Sequence, residues 1–187
     1  MKRILYLAAS LTLLASPAGA DEIEDSLKLA LEAYQAGDVV EAKSEIDYAA
    51  QLLAQKRVES LSELLPAAFD GWSREEVDDF AAGAAMFGGG LMAGAAYEKD
   101  RMTVELQVIA DSPAMAAMGA MFTDPAMAGT MGGKLKRVGG HKVIQMSDGE
   151  FQALIANRFL IQISGSAPAE DKEAYFTAID FAALEAF

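Results

Sequence analysis

The sequence predicts an α+β protein. An N-terminal antiparallel helical hairpin is followed by an antiparallel sheet of about five to six strands, with a short helical insert and a C-terminal helix packed on the sheet. Three observations predict this. Apolar residues recur every three or four positions up to Pro66 and every second position from about residue 90, the periods of an amphipathic helix and a half-buried strand. Gly- and Asp-containing turn signals divide the second region into short runs. Ser112-Pro113 and Asp124-Pro125 interrupt the strands with helix starts, a capping side chain directly before a proline.

Residues 1–20 read as a signal peptide. Lys2 and Arg3 precede an apolar run from Ile4 to Leu14, Pro17 follows, and Ala18-Gly19-Ala20 has the small-x-small pattern of a cleavage site. The run is too short to span a bilayer core of roughly 30 Å. The expectation is an exported protein, periplasmic or secreted, that begins at Asp21 after cleavage behind Ala20 and has no stable membrane insertion. Residues 21–65 then form the hairpin and residues 66–187 the α+β domain.

In the hairpin, Ile23, Leu27, Ala30, Leu31 and Tyr34 fall on one helical face. Gly37 is a natural C-cap, and Asp38 with Glu41 is spaced as a capping box for the second helix. There Ala42, Ile46, Ala49, Leu53, Leu61 and Leu64 continue an apolar stripe. The short Gly37-Asp38 link makes the helices antiparallel. Across residues 23–50, Tyr34, Gly37, Asp38, Ala42, Ile46 and Ala49 follow a spacing that resembles a single tetratricopeptide-type repeat. No second copy follows, and the proline expected after the second helix is absent. The resemblance implies a lone helical hairpin that docks on proteins.

Beyond Pro66 and Gly71, Glu75, Glu76, Asp78 and Asp79 read as an acidic turn or a solvated helix face. Met102, Val104, Leu106, Val108 and Ala110 alternate with Thr103, Glu105 and Gln107, a half-buried strand. Leu91 to Lys99 is its partner across Asp100-Arg101. Lys142 to Ser147, Glu150 to Ala156 and Phe159 to Ser164 are further strands, with Asp148-Gly149 a hairpin turn. Lys134 to Val138 adds another between two glycine pairs. Two short helices follow Ser112 and Asp124. Tyr175, Phe176, Ile179, Ala183 and Leu184 mark an apolar stripe on a helix after Pro168.

Composition narrows the chemistry. The chain carries a net charge of −13, which repels phosphate backbones, so nucleic acid is excluded as a partner. It has no cysteine and one histidine, His141, which removes disulfides, thiol catalysis and thiolate metal sites. Ser164-Gly165-Ser166 is not a nucleophile elbow, and Gly88-x-Gly90-x-x-Ala93 lacks the strand–turn–helix setting of a dinucleotide site. No cofactor is expected, and the chain reads as a non-enzymatic binding protein. Its partner is an envelope protein or an apolar ligand. The docking residues are Tyr34 on the hairpin and Met115, Met118, Phe122 and Met127 on the low-charge insert, since methionine suits adaptable apolar surfaces. One alternative is a Cu(I) site built from the thioethers of Met115, Met118 and Met121. Another is a hydrolase whose site the sequence does not display. Trp72 is expected to anchor its loop on the core.

Overall fold

The computed structural model describes residues 18–77, 89–115, 119, 122, 124–130 and 132–187. It is an α+β fold with twelve elements in the order α1 (Ala18–Gln35), α2 (Val39–Glu63), β1 (Ser73–Glu76), β2 (Leu91–Lys99), β3 (Met102–Ala110), α3 (Pro125–Thr130), β4 (Lys134–Val138), β5 (His141–Gln145), β6 (Phe151–Ile155), β7 (Phe159–Ser164), α4 (Ala169–Thr177) and α5 (Phe181–Ala186). The chain divides into two compact units, one up to Leu53 and one from Ala54 onward.

The first unit is the hairpin. Gly37 takes φ +85, the left-handed conformation that ends α1. The backbone N–H of Glu41 donates to Asp38 Oδ1 at 3.1 Å, which caps α2.

The second unit is built on one seven-stranded sheet in the order β1-β2-β3-β7-β6-β5-β4, with every neighbouring pair antiparallel. Asp100 and Arg101 both have positive φ, 49° and 75°, the geometry of the tight turn that joins β2 to β3. Gly90 opens β2 at φ +115, where a Cβ would sit 2.6 Å from the Ala110 carbonyl oxygen, so only glycine lets the strands meet there.

Alternation gives the sheet two different faces. Leu91, Ala93, Ala95 and Tyr97 of β2 join Val104, Leu106 and Val108 of β3 on the main-core side, with Phe151, Phe159, Ile161 and Ile163 beyond. Tyr175, Phe176, Ile179 and Leu184 from the C-terminal helices cover them, together with Leu61 and Leu65 at the end of α2. Each of the Val, Leu, Ile and Phe side chains among them contributes roughly 1.5–3 kcal/mol on burial. Trp72 packs against this core, edge-on to Tyr175 at 5.5 Å, and anchors its loop. The second face carries a smaller core of Met92, Ile109, Ile144 and Leu160, covered by Met115, Phe122 and Ala128 of the insert.

Three expectations need correction. The sheet has seven strands, because Ser73–Glu76 pairs with β2 as an edge strand, Ser73 opposite Glu98 and Glu76 opposite Ala95. The acidic segment read as a turn or helix face is therefore extended over Glu75 and Glu76, while Asp78 and Asp79 lie outside the described residues. The C-terminal helix is two helices, since the Asp180 side chain accepts from the Ala183 N–H and starts a new one. Ser112 accepts from the Ala114 N–H at 3.2 Å, but most of the helix expected after it lies outside the described residues.

Candidate binding surface

The hairpin's seam is made of small residues. Ser26, Ala30, Ala42 and Ala49 are buried, and small side chains let two helices approach closely. The large apolar residues lie outside that seam. Eleven large hydrophobic residues are exposed among the described residues, and nine of them belong to the hairpin unit, including Tyr34 at 67% and Val40 at 82%.

Their placement follows from helix geometry, at 100° per residue. Leu27 and Leu31 each follow a seam residue by one position. Tyr34, Ile46 and Leu53 each follow one by four positions. Either step turns the side chain in the same sense, by about 100° or about 40°. In antiparallel helices, equal senses of rotation from a shared seam point to the same side. The two stripes therefore flank the seam on one face of the hairpin.

The hairpin as a whole is acidic. Residues 18–53 hold nine carboxylates against Lys28 and Lys43, a net −7. The two lysines are paired within their helices: Lys28 Nζ lies 2.7 Å from Glu24 and Lys43 Nζ 2.5 Å from Asp47. The Lys28 ammonium also lowers the Glu24 carboxyl below its ordinary range. The apolar face therefore belongs to a hairpin of net negative charge.

The insert behaves differently. Met115 and Phe122 are 2% and 4% exposed and fill the second core, so they are not part of a surface. Their burial follows from the apolar residues of the second sheet face, which need a cover. Met127 on α3 is exposed at 40%. Met118 and Met121, the other two proposed copper thioethers, lie outside the described residues. His141 stacks on Phe181 with ring centroids 4.0 Å apart. Among the described residues, no three His, Asp or Glu side chains come together as a metal site.

The rest of the second sheet face is polar. Gln107, Gln162 and Gln152 stand in register across β3, β7 and β6 and line a shallow depression of about 150 Å³ with Ser164 and Glu150. Such a row can exchange hydrogen bonds with water or a polar ligand. The sequence shows these glutamines only as the polar half of an alternation; their alignment depends on the register.

No family model matches the chain, and neither a curated protein nor a solved structure does. Among the described residues, no helix is long and apolar enough to cross a membrane.

Proposed function

We propose that this is an exported, non-enzymatic docking protein whose hairpin receives an amphipathic helix with basic margins from an envelope protein. One observation carries the reading: the hairpin spends alanine on its seam and turns its large apolar side chains outward. Exposed apolar surface rimmed by charge is a feature of docking sites, and two antiparallel helices offer the groove into which a third helix lays its apolar face. The charge of −7 selects a basic partner and steers its approach. The leader-like N-terminus supports the location, and the weak fit to a tetratricopeptide-type hairpin supports the protein-docking role.

The test uses the full mature chain and a synthetic leucine–lysine amphipathic helix of about 18 residues, five turns. Fluorescence anisotropy is expected to show binding that Leu27→Ser with Ile46→Ser abolishes. Equal binding by the double variant removes the hairpin face from the account. N-terminal sequencing of protein recovered from cells is expected to begin at Asp21; an uncleaved chain contradicts the export reading.

A further inference from the structure

The sheet unit carries a second unpartnered feature, with the opposite charge. Among the described residues, β4 is the last strand of the sheet and one side of its ladder is unpaired. Gly139-Gly140 is a two-residue turn with φ +57 and +88, which makes Val138 and His141 the hydrogen-bonded pair beside it. Alternation from that pair turns the N–H and C=O groups of Leu135 and Arg137 to the open edge. Neither residue makes a backbone hydrogen bond outside the strand pairing among the described residues.

This edge is basic on an acidic protein. No carboxylate occurs between Asp124 and Asp148, while Lys134, Lys136, Arg137 and Lys142 fall within nine positions. Arg137 and Lys142 are direct cross-strand partners, and like charges placed directly opposite destabilise a sheet. Lys136 is paired with Glu173. Lys134, Arg137 and Lys142 take part in no salt bridge among the described residues. Among the described residues, the Arg137 guanidinium donates only to the Gly140 carbonyl oxygen, at 3.0 Å.

Lysine on an edge strand commonly serves to block edge pairing. That accounts for Lys134. It does not account for Arg137 set opposite Lys142, a like-charged pair without a carboxylate partner among the described residues, whose repulsion a bound anion relieves. We propose that the open edge of β4 takes an extended acidic peptide as an eighth strand, its backbone pairing with Leu135 and Arg137 and its carboxylates, on one face, meeting Arg137 and Lys142. Strand addition of this kind draws affinity from main-chain hydrogen bonds and specificity from alternate side chains. The site is independent of the hairpin reading.

The test is fluorescence anisotropy of the full mature chain with an alternating Glu-Val peptide of about eight residues, the length of an ordinary strand. The acidic hairpin repels this probe, so binding reports on the edge. The unmodified peptide is expected to bind, more weakly as salt is raised. Arg137→Glu with Lys142→Glu is expected to weaken it by about tenfold or more. The same peptide N-methylated at alternate amides is expected not to bind, because it cannot donate to the ladder. Absence of binding overturns the proposal. So does equal binding of the N-methylated peptide, which shows charge attraction alone. Capture by anionic phosphatidylglycerol vesicles without peptide binding reassigns the patch to a membrane surface. Thermal unfolding of the double variant checks that it folds; if it does not, the N-methylated arm decides.

Discussion

Asp111 clamps Arg158 from both ends of its carboxylate: Oδ1 accepts from Nε at 2.6 Å and Oδ2 from Nη2 at 3.2 Å. Arg57, near the end of α2, reaches the same Oδ2 at 2.9 Å. The carboxylate sits just past β3, on a backbone at φ +57, and ties the last turns of α2 to the β6–β7 turn. The two guanidiniums, Arg158 foremost, hold its pKa down to about 2 from an ordinary 3.8. Asparagine tolerates the same backbone, so Asp111→Asn isolates the charge. The expected cost is about 1 kcal/mol, kept small because all three side chains are partly exposed. The depressed carboxyl contributes its stability above the unfolded value and loses it as pH falls through the folded one. Urea midpoints of the wild-type chain are therefore expected to fall between about pH 4 and pH 2 more steeply than those of Asp111→Asn. Parallel curves would show that the clamp adds nothing.

The seam and the outer stripe of the hairpin answer differently to substitution. Ala49 is 1% exposed between the helices, and Ala49→Leu is expected to cost about 1–3 kcal/mol by forcing them apart. Ile46, at 53% exposure, is expected to tolerate Ile46→Ser within about 0.5 kcal/mol. Thermal unfolding by circular dichroism distinguishes the two. A larger loss from Ile46→Ser would mean that the stripe is core.

Lys172 is 1% exposed on α4, with its ammonium beside Gly149. Its four-carbon stem packs as an apolar side chain does. Lys172→Met keeps that packing and is expected to leave the unfolding midpoint unchanged or raise it. Lys172→Ala opens a cavity and is expected to lose about 2–3 kcal/mol. Equal losses from both variants would show that the charge itself is required.

Tyr97 is fully buried, and its hydroxyl donates to the Pro66 carbonyl oxygen at 2.7 Å. Tyr97→Phe is expected to cost about 1 kcal/mol in chemical unfolding. Burial pushes the phenol up to about 12 from 10.0. Its contribution is complete below pH 10 and is lost as pH rises toward 12, since the unfolded chain ionises first. Phenolate absorbance should show one tyrosine titrating late, and Tyr97→Phe should remove that step. Persistence of the step would assign it elsewhere; Tyr175, also raised by burial, is the neighbour to examine.

The parts of the fold legible in the sequence are those set by local rules. The β2–β3 hairpin was readable because Met102 to Ala110 alternates strictly and Asp100-Arg101 supplies the turn. β1 was not. Ser73–Glu76 has no apolar alternation, being an edge strand paired on one side only. Its position depends on Arg74, which donates to the Ser62 carbonyl oxygen at 2.9 Å and so satisfies a group left open at the end of α2. Nothing in the local sequence announces that contact. The hairpin stripe was visible as a period, but not its division into buried Ala30 and exposed Leu27, Leu31 and Tyr34. That division arises because two helices can bury only a narrow strip between them. The opposition of Arg137 and Lys142 likewise required the register fixed by Gly139-Gly140.

The most direct measurement of the docking account is site-specific photo-crosslinking in cells that produce the full chain. A photoreactive residue at Ile46, 53% exposed on the hairpin's apolar face, is compared with one at Glu185, exposed on α5. The account predicts a discrete adduct at Ile46, carrying a basic helical segment of an envelope protein and missing at Glu185. No adduct at Ile46, or the same adducts at both sites, contradicts it.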